Sequence, residues 1–302
     1  MMVVNIGSLN IDYVYDVESF VRKGQTISST CRSVFAGGKG LNQSIALGRA
    51  GADVAHAGLV GDEGGFLRDL MLESGVDVSR VGTAEGHSSG HAIIQRDSEG
   101  DNCIILHGGS NRLIGAGLID TTLLAFKPED WVLLQNETSC VPNAIEGAHE
   151  RGMKVILNPS PVNDALLECP LDLVDCFILN EGEAAAITGV DGTAMELLAA
   201  MCDRFPAAEV VLTVGADGSY YARKGSEPVF QPAFKTDAVD TTAAGDTFTG
   251  YYLAERAAGS DPRRALLVAS AASSIAVSRP GAAPSIPLRR EVEAKLAELD
   301  LV

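Results

Sequence analysis

Basic residues are scarce in this chain of 302 residues: 23 Lys and Arg stand against 40 Asp and Glu, a formal net charge of −17. Such a surface repels nucleic acid and anionic membrane, so neither is an expected partner. It also repels an anionic substrate unless one site gathers cations and hydrogen-bond donors. Long apolar runs are missing too. The longest mostly apolar stretch, residues 265–277, is interrupted by Ser270, Ser273 and Ser274, and stays below the ~18 residues of a membrane span. The start, MMVVNIGSLNID, has no basic n-region and reaches Asp12 early, unlike a signal peptide. The six cysteines, Cys31, Cys103, Cys140, Cys169, Cys176 and Cys202, include no C-x-x-C pair. A chain of this size needs no staples, so reduced thiols in a cytoplasm are expected. Five scattered His and no H-E-x-x-H argue against a zinc site. Repeats of fixed period and low-complexity tracts are absent.

Hydrophobic residues reach 46% and charged residues 21%, enough for a sizeable core. Short apolar runs alternate with helical patterns. Strands are expected at residues 2–6, 54–59, 131–134, 155–157, 177–179 and 210–214. Helices are expected at residues 41–50, 65–73, 142–151, from Glu181, and at 195–204, 245–258, 263–277 and 288–299. This alternation predicts an α/β fold, a parallel sheet covered on both faces. Ligands of such sheets bind beyond the carboxyl ends of the strands. Residues 12–35 and 90–107 break the pattern. The second holds HAIIQRD, SEGDN and CIILH, a hairpin signal with its tip at residues 97–101. Together they form either a flap over the strand ends or an added edge of the main sheet.

Four segments carry candidate chemistry. Residues 36–43, AGGKGLNQ, open a helix. Their glycines let backbone approach a ligand, and Lys39 adds a positive charge. The segment is neither a Walker A loop, because Gly40 follows Lys39, nor a Rossmann loop, because Gln43 replaces the last Gly. A plain Gly-rich turn is the alternative. Residues 239–248, VDTTAAGDTF, also open a helix, and small residues there expose N–H groups that can hold a transferring phosphoryl group. Asp246 sits in the first turn, able to accept a proton. The bland alternative has Thr242 capping the helix and Asp246 complementing its dipole. Asn180 and Glu183 read either as a capping box or as a carboxylate near Mg²⁺ and phosphates. Residues 213–218, TVGADG, border a nucleotide or simply make a hairpin. Gly86-His87-Ser88-Ser89-Gly90 fits G-x-S-x-G, but a β-like run follows where a nucleophile elbow needs a helix.

Taken together, these segments resemble the ribokinase-like family of carbohydrate kinases nearly end to end. Residues 7–12, GSLNID, are similar to the family's first-strand motif, and residues 37–43 to its GGKG-x-NQ signature. Residues 158–161, NPSP, and 180–183 resemble its NPAP and N-x-x-E segments. Residues 240–248 resemble its most diagnostic motif. The resemblance implies a single Rossmann-like domain over residues 1–302 with a small β-sheet lid at residues 12–35 and 90–107. It implies ATP-dependent phosphorylation of a small sugar, D-ribose at its primary 5-hydroxyl in the first place. Deoxyribose, fructose or a nucleoside would be other acceptors. A non-catalytic sugar- or nucleotide-binding regulator and a hydrolase using Ser88 are the rivals from other classes.

Residue by residue, the resemblance makes Asp246 the catalytic base and gives the amides of Ala243, Ala244, Gly245 and Asp246 the phosphoryl charge. Asn10, Asp12, Gly38, Lys39, Asn42 and Glu137 would border the sugar, together with Asp246. Asn180, Glu183, Thr213, Gly215, Gly218, Gly245 and Ser270 would serve ATP, with Glu183 acting indirectly on Mg²⁺. Asp240, Thr242, Ala276, Arg279, Gly281 and Ser285 would hold a monovalent cation, K⁺. A homodimer packed through the lids is implied, because Tyr13, Tyr15, Ile93, Ile94, Ile104 and Ile105 would otherwise expose apolar surface. The chain departs from the family in residues 21–26, VRKGQT, where Pro-x-x-Gly-Glu-Thr is usual. It also departs at Gly90-His91 and at residues 107–110, HGGS, on the sugar side.

Overall fold

The computed structural model describes residues 1–99 and 101–301. In chain order the strands are β1 (Val3–Ile6), β2 (Asn10–Asp16), β3 (Cys31–Gly37), β4 (Val54–Val60), β5 (Asp77–Thr83), β6 (Gly90–Arg96) and β7 (Asn102–His107). They continue with β8 (Trp131–Gln135), β9 (Lys154–Asn158), β10 (Cys176–Asn180), β11 (Glu209–Thr213), β12 (Gly218–Ala222) and β13 (Val229–Pro232). The helices are α1 (Lys39–Arg49), α2 (Gly65–Glu73), α3 (Ala116–Leu123), α4 (Val141–Glu150), α5 (Asp164–Leu167), α6 (Glu181–Thr188) and α7 (Ala194–Arg204). α8 (Ala244–Ala257), α9 (Pro262–Ala276) and α10 (Arg289–Glu298) follow. Elements expected from the sequence start and end within two residues of these bounds.

Nine strands form the central sheet in the order β13-β12-β11-β10-β9-β8-β1-β4-β5. From β11 to β5 every pairing is parallel, and β12 and β13 add an antiparallel edge. Alternate residues feed opposite faces, as the two-residue period of a strand requires. Val3, Trp131 and Leu133 pack with α1, α8 and α9, whereas Val4, Val132 and Leu134 pack with α4, α6 and α7. After β1 the chain moves to one side, to β4, and β8 later pairs on the other side. The strand order therefore reverses at β1 and β8, where ligands of such sheets bind.

The two irregular segments pair with each other through β2 and β6. β3-β2-β6-β7 is a separate four-stranded sheet, not an edge of the large one. Its outer pairings are antiparallel, but β2 and β6 run parallel, with Asn10 opposite Gly90. At the β6–β7 turn, the Asp97 carboxylate accepts from the N–H groups of Glu99 and Asp101. Gly100 of that expected hairpin tip lies outside the described residues. Ile104, Ile105 and Leu106 on the edge strand β7 are 54%, 62% and 53% exposed, so apolar side chains are bare on both faces of the small sheet. All six cysteines are unpaired thiols. Among the described residues no helix is long and apolar enough to cross a membrane.

Candidate active site

The site is built where β1 ends and α1 begins. Gly38 holds a positive φ of 96°, which only glycine adopts freely, and turns the chain from β3 into α1. The Gly40 and Leu41 N–H groups donate to the Ser8 hydroxyl and carbonyl, at 3.2 and 2.9 Å. A Cβ on Gly40 would sit 2.4 Å from the Ser8 nitrogen, so the two backbones cross in direct contact. Glu137, just beyond β8, accepts from the Ser8 hydroxyl and from the Lys39 N–H.

Asn10 and Asp12 start β2 beside this crossing. The Asn111 side-chain amide donates to Asn10 Oδ1 at 2.7 Å, and Asn111 Oδ1 accepts from Leu9 N–H at 2.9 Å. Burial, aided by the Glu137 charge, pushes the Asp12 carboxyl up to about 6. Burial lowers the Lys39 ammonium, but Asp246, Glu137 and Glu183 more than offset this and leave it raised. Lys39 therefore stays a cation among three carboxylates.

The second half of the site is the mouth of α8. Ala243 takes a left-handed conformation, φ 59°, and no side chain caps the helix. This corrects the reading of Thr242 as a cap: its hydroxyl and N–H both donate to Asp240 Oδ1. The amides of the first turn are thus not consumed by a cap, and they point where an anion is favoured. Asp246, 7% exposed, accepts from Asn42 Nδ2 at 3.0 Å and from Gln43 Nε2 at 2.9 Å. Asn42 Oδ1 is left buried without a partner.

A cavity of about 240 Å³ lies between the two helix mouths. Lys39, Asn180, Glu183, Thr213 and the run from Ala243 to Asp246 line it, together with Asn158. Asn180 and Glu183 do form a capping box, each side chain bonded to the other's N–H. Capping and cavity lining are compatible, since the box uses only Oε2 of Glu183. Gly215, Gly218 and Ser270 do not line the cavity. Gly218 serves the β11–β12 hairpin, where a Cβ would sit 2.2 Å from the Gln231 carbonyl. Ser270 is buried within α9. Among the described residues no cluster of three or more His, Cys, Asp or Glu could hold a metal.

The 276–285 segment meets Asp240 beneath the α8 mouth. Asp240 Oδ2 accepts from Gly281 N–H at 2.9 Å, and Val277 O accepts from Asp240 N–H at 3.2 Å. Burial raises the Asp240 carboxyl, but bonds from Thr242 and Gly281 outweigh it and leave it below the usual value. The Ala276 carbonyl accepts from Arg279 N–H, and the Ser285 hydroxyl donates to the Ala282 carbonyl. Arg279 pairs with Glu291 at 2.6 Å, away from Asp240.

Ser88 and Ser89 lie in the loop feeding β6, with no helix after them, so the G-x-S-x-G match is not an elbow. Sequence reasoning missed Asn111, in a short 3₁₀ helix far along the chain, and gave Gln43 and Gln135 no role. No local signal marks Asn111.

Residues 1–289 match the family profile described as pfkB family carbohydrate kinase. The chain is 33% identical over 294 residues to the ribokinase of Haemophilus influenzae, covering 95% of each. Among solved structures, it resembles the Cryptococcus neoformans ribokinase in complex with ADP, at TM-score 0.87 and 31% identity, covering 98% of this chain and 99% of that one. It also resembles the Arabidopsis thaliana ribokinase complexed with ribose and ATP, at TM-score 0.85 and 28% identity, covering 97% and 98%. With residues 1–289 matched by the family profile and a relative 33% identical over 95% of its length, the chain belongs to the pfkB family of carbohydrate kinases.

Proposed function

We propose that the chain transfers the γ-phosphate of ATP to the primary 5-hydroxyl of D-ribose. One observation carries the reading. Asp246 stands at an uncapped helix start, its carboxylate fixed by Asn42 and Gln43, on the wall of a cavity that Lys39 and the run from Ala243 to Gly245 also line. Asp246 would take the hydroxyl proton as the oxygen attacks. The amides from Ala243 to Asp246 would meet the charge on the phosphoryl group, and Lys39 would neutralise it from the α1 side. Asn10, Asp12, Asn42 and Glu137, with the Gly38 backbone, offer several hydrogen-bonding groups to a small polyol. The first two relatives named above are ribokinases, and so is the ribose- and ATP-bound neighbour.

The Glu183 carboxylate on the cavity wall would suit Mg²⁺ that arrives with the nucleotide and keeps its waters, rather than a cage of protein ligands, which the described residues do not form. Held there, Mg²⁺ would supply positive charge toward the nucleotide phosphates. Gly215, Gly218, Thr213 and Ser270 belong to the nucleotide side in this reading, and Thr213 alone of these lines the cavity. Asp240, Thr242 and the 276–285 segment would hold K⁺ and order the α8 mouth. The chain would act in the cytoplasm as a homodimer, one kinase domain per chain, with the exposed apolar residues of β7 covered by the partner's lid.

The test is a coupled ADP-release screen with pentoses, hexoses and nucleosides. Ribose should give the highest kcat/KM and outperform adenosine. A clear preference for any nucleoside, or ribose binding without ADP release, overturns the assignment.

A further inference from the structure

Beneath the candidate site runs a chain of polar side chains, of which the reaction outlined above uses only Gln43, at its contact with Asp246. Asn5, Gln43, Ser44, His56 and Gln135 are each 0% exposed. A buried amide has two faces, and which one points where is decided by its neighbours.

Here every direction is set by a backbone carbonyl, which can only accept. The Gly40 carbonyl accepts from Asn5 Nδ2 at 2.8 Å. Asn5 Oδ1 must then face Gln135, and it accepts from Gln135 Nε2 at 3.0 Å. The other Gln135 N–H goes to Gln43 Oε1 at 2.7 Å. Gln43 Nε2 is thereby turned outward, to Asp246 Oδ1 at 2.9 Å and Asn158 Oδ1 at 3.0 Å. Asn158 is fixed in its turn, because its Nδ2 donates to the Ile178 carbonyl at 2.8 Å. A side branch closes at a third carbonyl. Asn5 Nδ2 donates to Ser44 Oγ, so the Ser44 hydroxyl donates to His56 Nδ1, and His56 Nε2–H faces the Gly7 carbonyl at 3.2 Å.

A second observation points the same way. Gln135 Oε1 is buried and has no partner. It lies where a Cβ on Gly7 would be only 2.5 Å away. Buried acceptors are seldom left unpaired. Turning the Gln135 amide over would set its oxygen against two others, Asn5 Oδ1 and Gln43 Oε1. The orphan oxygen is the consequence of keeping all the amides aligned toward Asp246.

We propose that Gln43 is a positioning residue for Asp246, and that Gln135 and Asn5 fix the direction in which Gln43 donates. The inference rests on the reading of Asp246 as the base. Asn42 holds one carboxylate oxygen and Gln43 the other, so the carboxylate plane cannot turn. Each oxygen keeps lone-pair capacity for an incoming hydroxyl. Burial pushes the His56 imidazole down to about 4, so the branch stays neutral and adds no competing charge beneath the base.

The test uses the full-length protein with ribose and Mg-ATP as probes. Asp246→Asn, Gln43→Leu and Gln135→Leu are made singly, and the last two also in the Asp246→Asn background. Gln43→Leu should lower kcat roughly 10–100-fold, the scale of a misplaced reacting group, with both KM values within about threefold. Gln135→Leu, which does not touch Asp246, should lower kcat in the same direction by a smaller factor. In the Asp246→Asn background neither should lower kcat further, whereas a purely structural loss would persist there. If Asp246→Asn itself keeps its turnover, the base assignment fails and takes this proposal with it. If Asp246→Asn is impaired while folded Gln43→Leu stays within twofold of wild type, the positioning role alone is wrong. Should Gln43→Leu not fold, an unchanged kcat in folded Gln135→Leu overturns the relay.

Discussion

Asn42 and Asp246 stand 204 residues apart in the chain, and the Asn42 amide donates to the Asp246 carboxylate at 3.0 Å. The bond joins the mouth of α1 to the mouth of α8. One carboxylate is therefore shared by the two halves of the cleft, the proposed sugar half at α1 and the proposed phosphate half at α8.

Asp246→Asn keeps the shape of the side chain and removes its ability to take a proton. Turnover should fall by roughly 10²–10⁴-fold, the range for a positioned general base, with the melting temperature close to wild type. If Asp246 only complements the helix dipole, the variant loses about 0.3–1 kcal/mol of stability and little activity. Measuring kcat and Tm on the same preparation separates the two.

Asp12 gives the enzyme an acid limb. Its folded-state carboxyl is raised to about 6, so the neutral form is the one folding favours. The stability this contributes is present below the ordinary carboxyl range and disappears as pH rises through about 6. Sugar binding runs the opposite way, because an ionised carboxylate accepts more hydroxyl bonds. The ionised fraction drops about tenfold between pH 7 and pH 5, and KM for ribose should rise by a similar factor. Asp12→Asn should flatten that pH dependence; a slope that survives the substitution assigns it elsewhere.

Two glycines should respond differently to a methyl group. A Cβ on Gly40 meets backbone at 2.4–2.6 Å, so Gly40→Ala must push α1 off β1, lowering both Tm and kcat. A Cβ on Gly245 meets nothing within 4 Å. Gly245→Ala should hold or raise Tm, by up to about 1 kcal/mol of helix propensity, yet lose at least about tenfold in kcat/KM for ATP. Full activity in Gly245→Ala would show that no phosphoryl group passes over that amide.

The Asp240 loop predicts cation dependence. Replacing K⁺ by tetramethylammonium at constant ionic strength should lower turnover several-fold, because a large organic cation cannot enter between Asp240 and the 276–285 carbonyls. Equal rates in the two salts would remove the cation from the scheme.

Ile105, 62% exposed on β7, tests assembly. Light scattering at micromolar concentration should give a dimer for the wild type and a monomer for Ile105→Asp. A monomeric wild type would contradict packing through the lids.

Local chemistry made both helix mouths readable. Gly38 must tolerate a φ of 96°, and a run of small residues before Asp246 leaves amides accessible, so residue type alone betrays each position. The Thr242 cap was a sound local expectation that failed because Asp240, two residues earlier, captures the same hydroxyl. Partners distant in sequence left no trace. Asn111 reaches Asn10 across 101 residues, and Gln135 reads merely as the end of an apolar strand. β5 and β13 escaped notice because they lie at the sheet edges and mix polar with apolar residues, without a buried run, whereas β12, buried but built of Gly, Ser, Tyr and Ala, was legible only through the hairpin reading of residues 213–218. The parallel β2–β6 pairing follows from no hairpin and was not foreseeable.

The small sheet is tied to the large one at the Asn10 corner. β2 follows β1 after only Gly7, Ser8 and Leu9, β3 runs straight into α1, and β6 starts opposite Asn10. The far end, at Asp16, Cys31, Arg96 and Asn102, lies about 20 Å away, six strand steps of ~3.3 Å. A tilt of about 10° would sweep that end through roughly 3–4 Å over such an arm, while Asn10 hardly shifts. Such a tilt would move the far end of the sheet while leaving the Asn10 corner in place.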